Sequence, residues 1–345
     1  MPQRRYIPNT VEAITDEFSA LDLGGPIRHF DLLRLPTELH RNVCEHMDDG
    51  DLIECHLASR KMAEESSFVF GTRFFGSLVF IDHPFGLNAL LEIARHPGLS
   101  TYVKTVAYSA EGGLMRMFKV TRGRRVKRAY GHLPTPHECA LVLAEALRSF
   151  RNLESVEMVY AVFDDKDDHP GVRCGFGDVL RDIREVPGGK MTLEPDPGHA
   201  RDYEILFTAI EVSTIAENLT LDIYISSSVN SWNITSDTKP LFDTNSTTWR
   251  AVIAPRVRAL RMSQVQAWGH GVIESVPELN SLSVCGDYHS THDGFDAQIT
   301  GLLPTWSGHL SSLKLERLIP APGVVLNLLI AHETSLSSID FKNIF

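Results

Sequence analysis

His40, Cys44 and His46 place two imidazoles and a thiol, all common ligands of transition metals, in one short stretch of the chain. On a helix His40 and Cys44 share a face while His46 points elsewhere, so a complete ligand set needs residues from afar. Asp164, Asp165, Asp167 and Asp168 could gather a divalent cation, but the Gly and terminal Glu of a calcium loop are not in register with them. Pro187-Gly188-Gly189-Lys190 lacks the earlier Gly and the following Ser or Thr of a phosphate loop, and reads as a turn. The chain holds no nucleophile elbow, Walker loop, dinucleotide fingerprint or His-Glu-x-x-His helix. These residues predict no catalytic centre, no cofactor and no metal.

Cys44, Cys55, Cys139, Cys174 and Cys285 are odd in number and never paired as C-x-x-C, which argues against a disulfide framework and a structural zinc site. Three glycosylation acceptors, starting at Asn218, Asn233 and Asn245, have no route to the modifying enzyme, because Met1 to Phe30 lacks the apolar centre of a secretory signal. With 43% hydrophobic and 22% charged residues and no apolar run near the ~20 residues of a membrane span, a protein of the cytoplasm, the nucleus or both is expected. The formal net charge of -11 disfavours nucleic acid as a partner. One basic run opposes it: Lys119, Arg122, Arg124, Arg125, Lys127 and Arg128 follow one another with no acid between them. It reads as a solvated loop, or else as a nuclear-import signal or a contact for an acidic partner.

The elements that must position these groups fall into two patterns. Leu35, Leu39, Val43 and Met47 recur every four residues, with Pro36 suited to a first helical turn, and predict a short helix with one apolar face. Asp48, Asp49 and Gly50 break it, and Asp51 is the expected cap of a second helix carrying Leu52, Cys55, Ala58 and Met62. Ser66 to Phe80 is apolar enough to demand burial. Downstream, the spacing apolar-x-x-apolar-x-apolar occurs six times: Val103/Val106/Tyr108, Leu153/Val156/Met158, Val257/Leu260/Met262, Leu279/Leu282/Val284, Leu310/Leu313/Leu315 and Leu336/Ile339/Phe341. The last two positions of each copy alternate like a strand and the first closes a turn, as in the strand segment of a leucine-rich repeat.

Helical stretches at Pro84 to Arg95, Pro136 to Phe150, Tyr203 to Glu217 and Val324 to His332 lie between several copies. Strand, helix, strand implies parallel strands with crossover helices. The middle positions Leu260, Leu282, Leu313 and Ile339 are 22, 31 and 26 residues apart, so the array is irregular, and the Asn or Cys that regular repeats place after the strand is missing. Asp164 to Asp202 and Ser226 to Thr248 read as two long loops, with a strand-like Leu219 to Ile225 between them. The final copy, Leu336/Ile339/Phe341, has no polar capping element, so it is expected to be covered by a loop or to be adhesive.

Leu35-Pro36-Thr37-Glu38-Leu39, then Val43 and Met47, Asp51-Leu52-Ile53 and Leu57-Ala58-Ser59-Arg60, resembles an F-box of the form common in fungal proteins, over Leu32 to about Phe75. The resemblance implies a three-helix module that docks on a Skp-type adaptor and, through it, on a cullin, with Leu35, Pro36, Leu39, Val43, Leu52 and Ala58 facing the adaptor or shaping that face. Ala58 stands where the family commonly has Val, and Met62 where it has an aromatic residue. The expected organisation is an α/β protein: a flexible arm over 1–31, an F-box-like helical domain over 32–75 and a leucine-rich-repeat-like solenoid over 76–345 that holds a target protein. An F-box followed by such an array resembles the substrate receptor of a Skp-cullin-F-box ubiquitin ligase, a non-catalytic subunit that acts by proximity. The alternative is a scaffold that binds the adaptor without a ligase role.

Overall fold

Asp48 sits between the first two helices of the N-terminal segment. Its carboxylate accepts the backbone N–H of Asp51 at 2.8 Å, so Asp48, not Asp51, caps the second helix; Asp51 already lies within the first turn. The computed structural model describes residues 35–81, 83–109, 118–122, 125–128, 135–159, 172–174, 190–193, 200–215, 219–226, 242–263, 269–285, 309–318 and 323–343. The expected arm over 1–31, the Asp164 to Asp168 cluster and Pro187 to Gly189 lie outside the described residues. Two compact units divide between Phe70 and Gly71.

The first unit carries helices α1 (Thr37–His46) and α2 (Asp49–Ala58) and most of α3 (Arg60–Phe75). Met62 belongs to α3 and not to α2, because Ser59 is extended and its hydroxyl accepts the N–H of Met62 at 3.2 Å, starting a new helix. Cys44, Leu52, Met62 and Val69 are buried, together with His40 and Ser66. The apolar run from Ser66 to Phe80 splits where Gly76 follows α3, and its second half is strand β1 (Ser77–Ile81).

The second unit is an α/β sheet. Strands β1, β2 (Thr105–Ser109), β5 (Ser155–Val159), β8 (Thr220–Ser226), β9 (Val257–Ser263), β10 (Ser281–Cys285), β11 (Ser312–Glu316) and β12 (Ser338–Lys342) pair in chain order, every neighbour parallel. A ninth strand, β6 (Val172–Cys174), pairs parallel with the outer side of β1. Among the crossovers are helices α4 (Pro84–Arg95), α5 (Pro136–Ser149), α6 (Ala200–Ser213), α7 (Gly269–Ser275) and α8 (Val324–Ala331). Sequential parallel strands joined by helices are the expected solenoid-like architecture.

The starts of α4 and α5 are written locally. Thr135 and Glu138 form a reciprocal capping box at α5, with Glu138 Oε2 accepting the Thr135 N–H at 2.6 Å, and Pro136 occupies the position where no N–H is needed. These bonds to the charged form hold the Glu138 carboxyl below its usual range. At α4 the ring of His83 accepts from Phe85 N–H at 3.3 Å. Gly86 lets α4 approach β1, since a Cβ there would lie 2.6 Å from the carbonyl oxygen of Ile81.

All six repeat copies fall on strands, with the alternating positions in register: Leu282 lies opposite Leu260 and Leu313, and Val284 opposite Met262 and Leu315. The two paired rows end in Ile339 and Phe341 on β12. The opposite row at the strand starts is hydroxyl-rich: Ser77, Thr105, Ser155 and Thr220 are successive partners, as are Ser281, Ser312 and Ser338. One position earlier, Ser311 Oγ donates to Asn280 O at 3.0 Å and Ser337 Oγ to Ser311 O at 3.1 Å. Thr220 Oγ1 donates to Glu154 O at 3.1 Å. Hydroxyls at the strand entrances thus link neighbouring repeats.

Two expectations need correction. The 164–202 interval is not all loop: it contributes β6 and β7 (Lys190–Leu193), and α6 begins at Ala200. These strands are too short to show a period of two, and their partners, β1 and β3 (Phe118–Arg122), are remote in sequence. Lys119, Arg122, Arg125, Lys127 and Arg128 of the basic run, expected as a loop, lie on β3 and β4 (Arg125–Arg128), antiparallel neighbours with Lys119 opposite Arg128 and Arg122 opposite Arg125, while Arg124 lies outside the described residues.

Candidate functional site

Among the described residues of the helical unit, more large apolar side chains face solvent than face inward. Leu39 is 50% exposed, Val43 36%, Ile53 40%, Leu57 76% and Phe68 46%, against four buried apolar residues. Leu39 and Val43 are one turn apart on α1, Ile53 and Leu57 one turn apart on α2, so each pair forms a stripe on its helix. The buried face of α1 is the other one, His40 and Cys44. A stripe every four residues reads as core from sequence; here it points outward because a small thiol and an imidazole fill the interior side.

Each residue of the predicted adaptor face has a definite place. Pro36, Leu39, Val43 and Ala58 are exposed and Leu35 is half-buried. Leu52 is fully buried, so it supports the hairpin from within and offers no surface of its own. Ile53, Leu57 and Phe68 were not in the predicted set; the i, i+4 spacing of Ile53 and Leu57 was the available signal.

The interior holds this face in place through polar contacts as much as apolar ones. Ser66 Oγ donates to Met62 O at 2.7 Å, which leaves its lone pairs for His56 Nδ1 at 2.9 Å. The His56 ring stacks on Phe70 with centroids 4.0 Å apart, and burial pushes its pKa down, favouring the neutral ring. Burial pushes the Cys55 thiol up, partly offset by a hydrogen bond with Cys44. Arg41 lays its guanidinium 3.9 Å from the centroid of Phe68, tying α1 to α3 across the surface.

The sheet offers a second surface. Leu78, Phe80, Val106, Tyr108, Val156 and Met158 face the core that α4, α5 and α6 share. From β5 onward the opposite face is polar and half-exposed, with Glu157, Asp222, Tyr224, Ser283, Lys314 and Glu316, and Arg261 is exposed. Arg261 pairs with Asp222 at 2.9 Å and Lys314 approaches Glu316 at 3.7 Å. The two long predicted loops both leave from the C-terminal ends of their strands, β5 and β8, and so from the same rim of a parallel sheet, where α/β proteins bind ligands. Most of both loops lies outside the described residues.

Among the described residues no group of three or more His, Cys, Asp or Glu side chains could hold a metal, and no helix is long and apolar enough to cross a membrane. His40 and Cys44 share the buried face of α1, whereas His46 is exposed and bonds to Asn42 O. No protein-family model matches the chain, and no curated protein matches it in sequence.

Proposed function

We propose that this protein is the substrate-recognition subunit of a Skp-cullin-F-box ubiquitin ligase, with an F-box-like module over 32–75 that binds a Skp-type adaptor and a leucine-rich-repeat-like array over 76–345 that holds a target protein. The observation that carries the reading is the outward apolar stripe: Leu39 and Val43, from the best-matched part of the motif, are exposed on a helix whose other side is packed. An exposed apolar patch on so small a module favours a protein partner. The polar sheet face and the rim of long loops suit recognition of a second protein, and the receptor itself needs no catalytic group, because it acts by raising the local concentration of a target lysine near the conjugating enzyme.

The test is co-purification of adaptor and cullin with wild type and with the double variant Leu39→Ala, Val43→Ala. Truncating apolar anchors of an interface costs about 2 kcal/mol or more, roughly thirtyfold in affinity. Both side chains are exposed, so the variant should keep its helical circular dichroism while losing the adaptor. Leu52→Ala is the contrasting control and should unfold the hairpin. Adaptor retained by the folded double variant sinks the assignment; adaptor bound without cullin favours the scaffold alternative.

A further inference from the structure

The backbone of strand β12 can be read residue by residue. Ser338 N–H donates to Ser311 O at 3.1 Å and Lys342 O accepts the Arg317 N–H at 2.9 Å, which fixes the groups that face β11. Bonding residues alternate along a parallel ladder, so Ser338, Asp340 and Lys342 turn their N–H and C=O groups to β11, while Ile339 and Phe341 turn theirs outward. Among the described residues these outward groups have no hydrogen-bond partner. The side chains are open as well, with Ile339 49% and Phe341 40% exposed. Helix α8, which precedes β12, buries Leu328 in the same core as Leu313 and Leu315, and leaves Leu326 and Ile330, one turn apart, 60% and 58% exposed.

Charged residues commonly guard such an edge against other chains. Here the guard is self-complementary, because Asp340 and Lys342 share one face of the strand and have opposite signs. A second copy turned about a two-fold axis perpendicular to the sheet presents the same edge, antiparallel. Its outward residues must meet those of the first, which leaves few registers. With Ile339 opposite Phe341 of the second copy, Asp340 falls opposite Asp340. With Ile339 opposite Ile339, Asp340 falls opposite Ser338. With Phe341 opposite Phe341, on the axis, Asp340 falls opposite Lys342 in both directions, at the non-hydrogen-bonded positions where cross-strand side chains come closest. This register alone pairs every charge on the edge and adds an aromatic pair.

We infer that β12 is a self-association edge: a second copy of this chain adds its own β12 antiparallel, with Phe341 on the two-fold axis and Asp340 paired to Lys342 of the other copy on each side. Asn343 leaves extended backbone at φ 52°, so the shared ladder is short and the dimer weak, dissociated at about 1 µM and formed at higher concentration. Asp340 and Lys342 are register partners of Lys314 and Glu316, so joining the edges continues the polar sheet face across the axis. Two copies then present one surface with two equivalent halves.

The test is sedimentation velocity of the full chain between about 1 and 300 µM. Wild type should pass from monomer to dimer and go no further, because an isologous edge closes on itself. Asp340→Lys sets cation against cation on both sides of the axis and Lys342→Asp sets anion against anion, so each alone should weaken association about tenfold or more. An equimolar mixture of the two variants restores both pairs between unlike copies and should associate within about twofold of wild type. The mixture is decisive because Asp340 and Lys342 also lie 3.5 Å apart within one chain, an exposed contact that each variant loses and that mixing cannot restore. Phe341→Pro removes an N–H that no bond within the chain uses, so it should abolish the dimer and keep the circular dichroism of the wild type. Wild type monomeric throughout, species that grow beyond the dimer, unchanged association in either charge variant, or a mixture no tighter than its components overturns the proposal.

Discussion

At one edge of the parallel sheet β1 has β6 paired along its outer side, and Leu78, Val79, Phe80 and Ile81 are all buried. At the other edge β12 pairs only with β11 among the described residues, and Ile339 and Phe341 are 49% and 40% exposed. Yet Ile339 and Phe341 occupy the same register positions as Leu313 and Leu315, which are 1% and 0% exposed. The repeat spacing therefore encodes a strand and its register, while burial comes from the neighbours stacked on each side. The closed edge borrows its neighbour from an insertion between β5 and α6, and that strand is only three residues long, which limits its own capacity to recruit further strands.

The largest effect should come from deleting side chains at equivalent register positions in the interior and at the open edge. Leu282→Ala removes a fully buried side chain and should cost about 2–5 kcal/mol in denaturant unfolding. Ile339→Ala removes a half-exposed one and should cost under about 1 kcal/mol. An Ile339→Ala cost equal to that of Leu282→Ala would mean that the open edge is covered in solution, and the contrast between the edges would collapse. A concentration-dependent midpoint would then identify a second copy as the cover.

The closed end should also carry a pH signature. Tyr108 on β2 is fully buried and its hydroxyl donates to Asp202 Oδ1 at 2.7 Å, fastening β2 to the first turn of α6. Burial first, and then the Asp202 charge and hydrogen bond, push the tyrosine pKa well above 10.0. The folded state thus binds the proton more tightly than the unfolded chain, so this contribution is complete below about pH 10 and is lost as pH rises beyond it. Burial likewise pushes the Cys174 thiol on β6 from 9.0 to about 12, so its contribution fades as pH climbs from 9.0 toward that value. Tyr108→Phe should cost about 1–3 kcal/mol at neutral pH and flatten the alkaline fall. A variant with an unchanged alkaline limb would show that the pair does not form.

The spacing rule made six of these strands legible, and it also fits Phe75/Leu78/Phe80, which went unseen because Phe74, Val79 and Ile81 fill the gaps and hide the alternation. A strand buried on both faces erases the period of two. Strand β8 was visible as a strand but not as a copy, since it uses Leu219, Leu221, Ile223 and Ile225 and its pairing to β9 shifts register at Leu221/Asp222. Nothing local could have announced β6, whose existence depends on a partner almost a hundred residues earlier. For the candidate surfaces, the four-residue spacing places Leu39 and Val43 on a helix but cannot tell their face from a core face. That requires knowing that His40 and Cys44 fill the inside.

The smallest effect belongs to the hydroxyl ladder, and its size follows from how crowded the acceptors are. Asn280 O accepts the backbone N–H groups of Ser311 at 2.8 Å and Ser312 at 3.0 Å as well as the Ser311 hydroxyl at 3.0 Å. Removing that hydroxyl leaves no orphaned carbonyl, so Ser311→Ala should cost only about 0.5 kcal/mol, at the low end for a hydrogen bond. Thr105 at the closed end differs, because its hydroxyl meets the Ser155 hydroxyl at 2.9 Å in a part-buried position and its loss strands a polar partner. Thr105→Val should therefore cost about 1 kcal/mol, roughly twice Ser311→Ala, when both are measured by the shift in denaturant midpoint. Equal costs would mean that the hydroxyls act alike along the whole sheet, and that the difference between its two ends lies only in what covers the apolar rows.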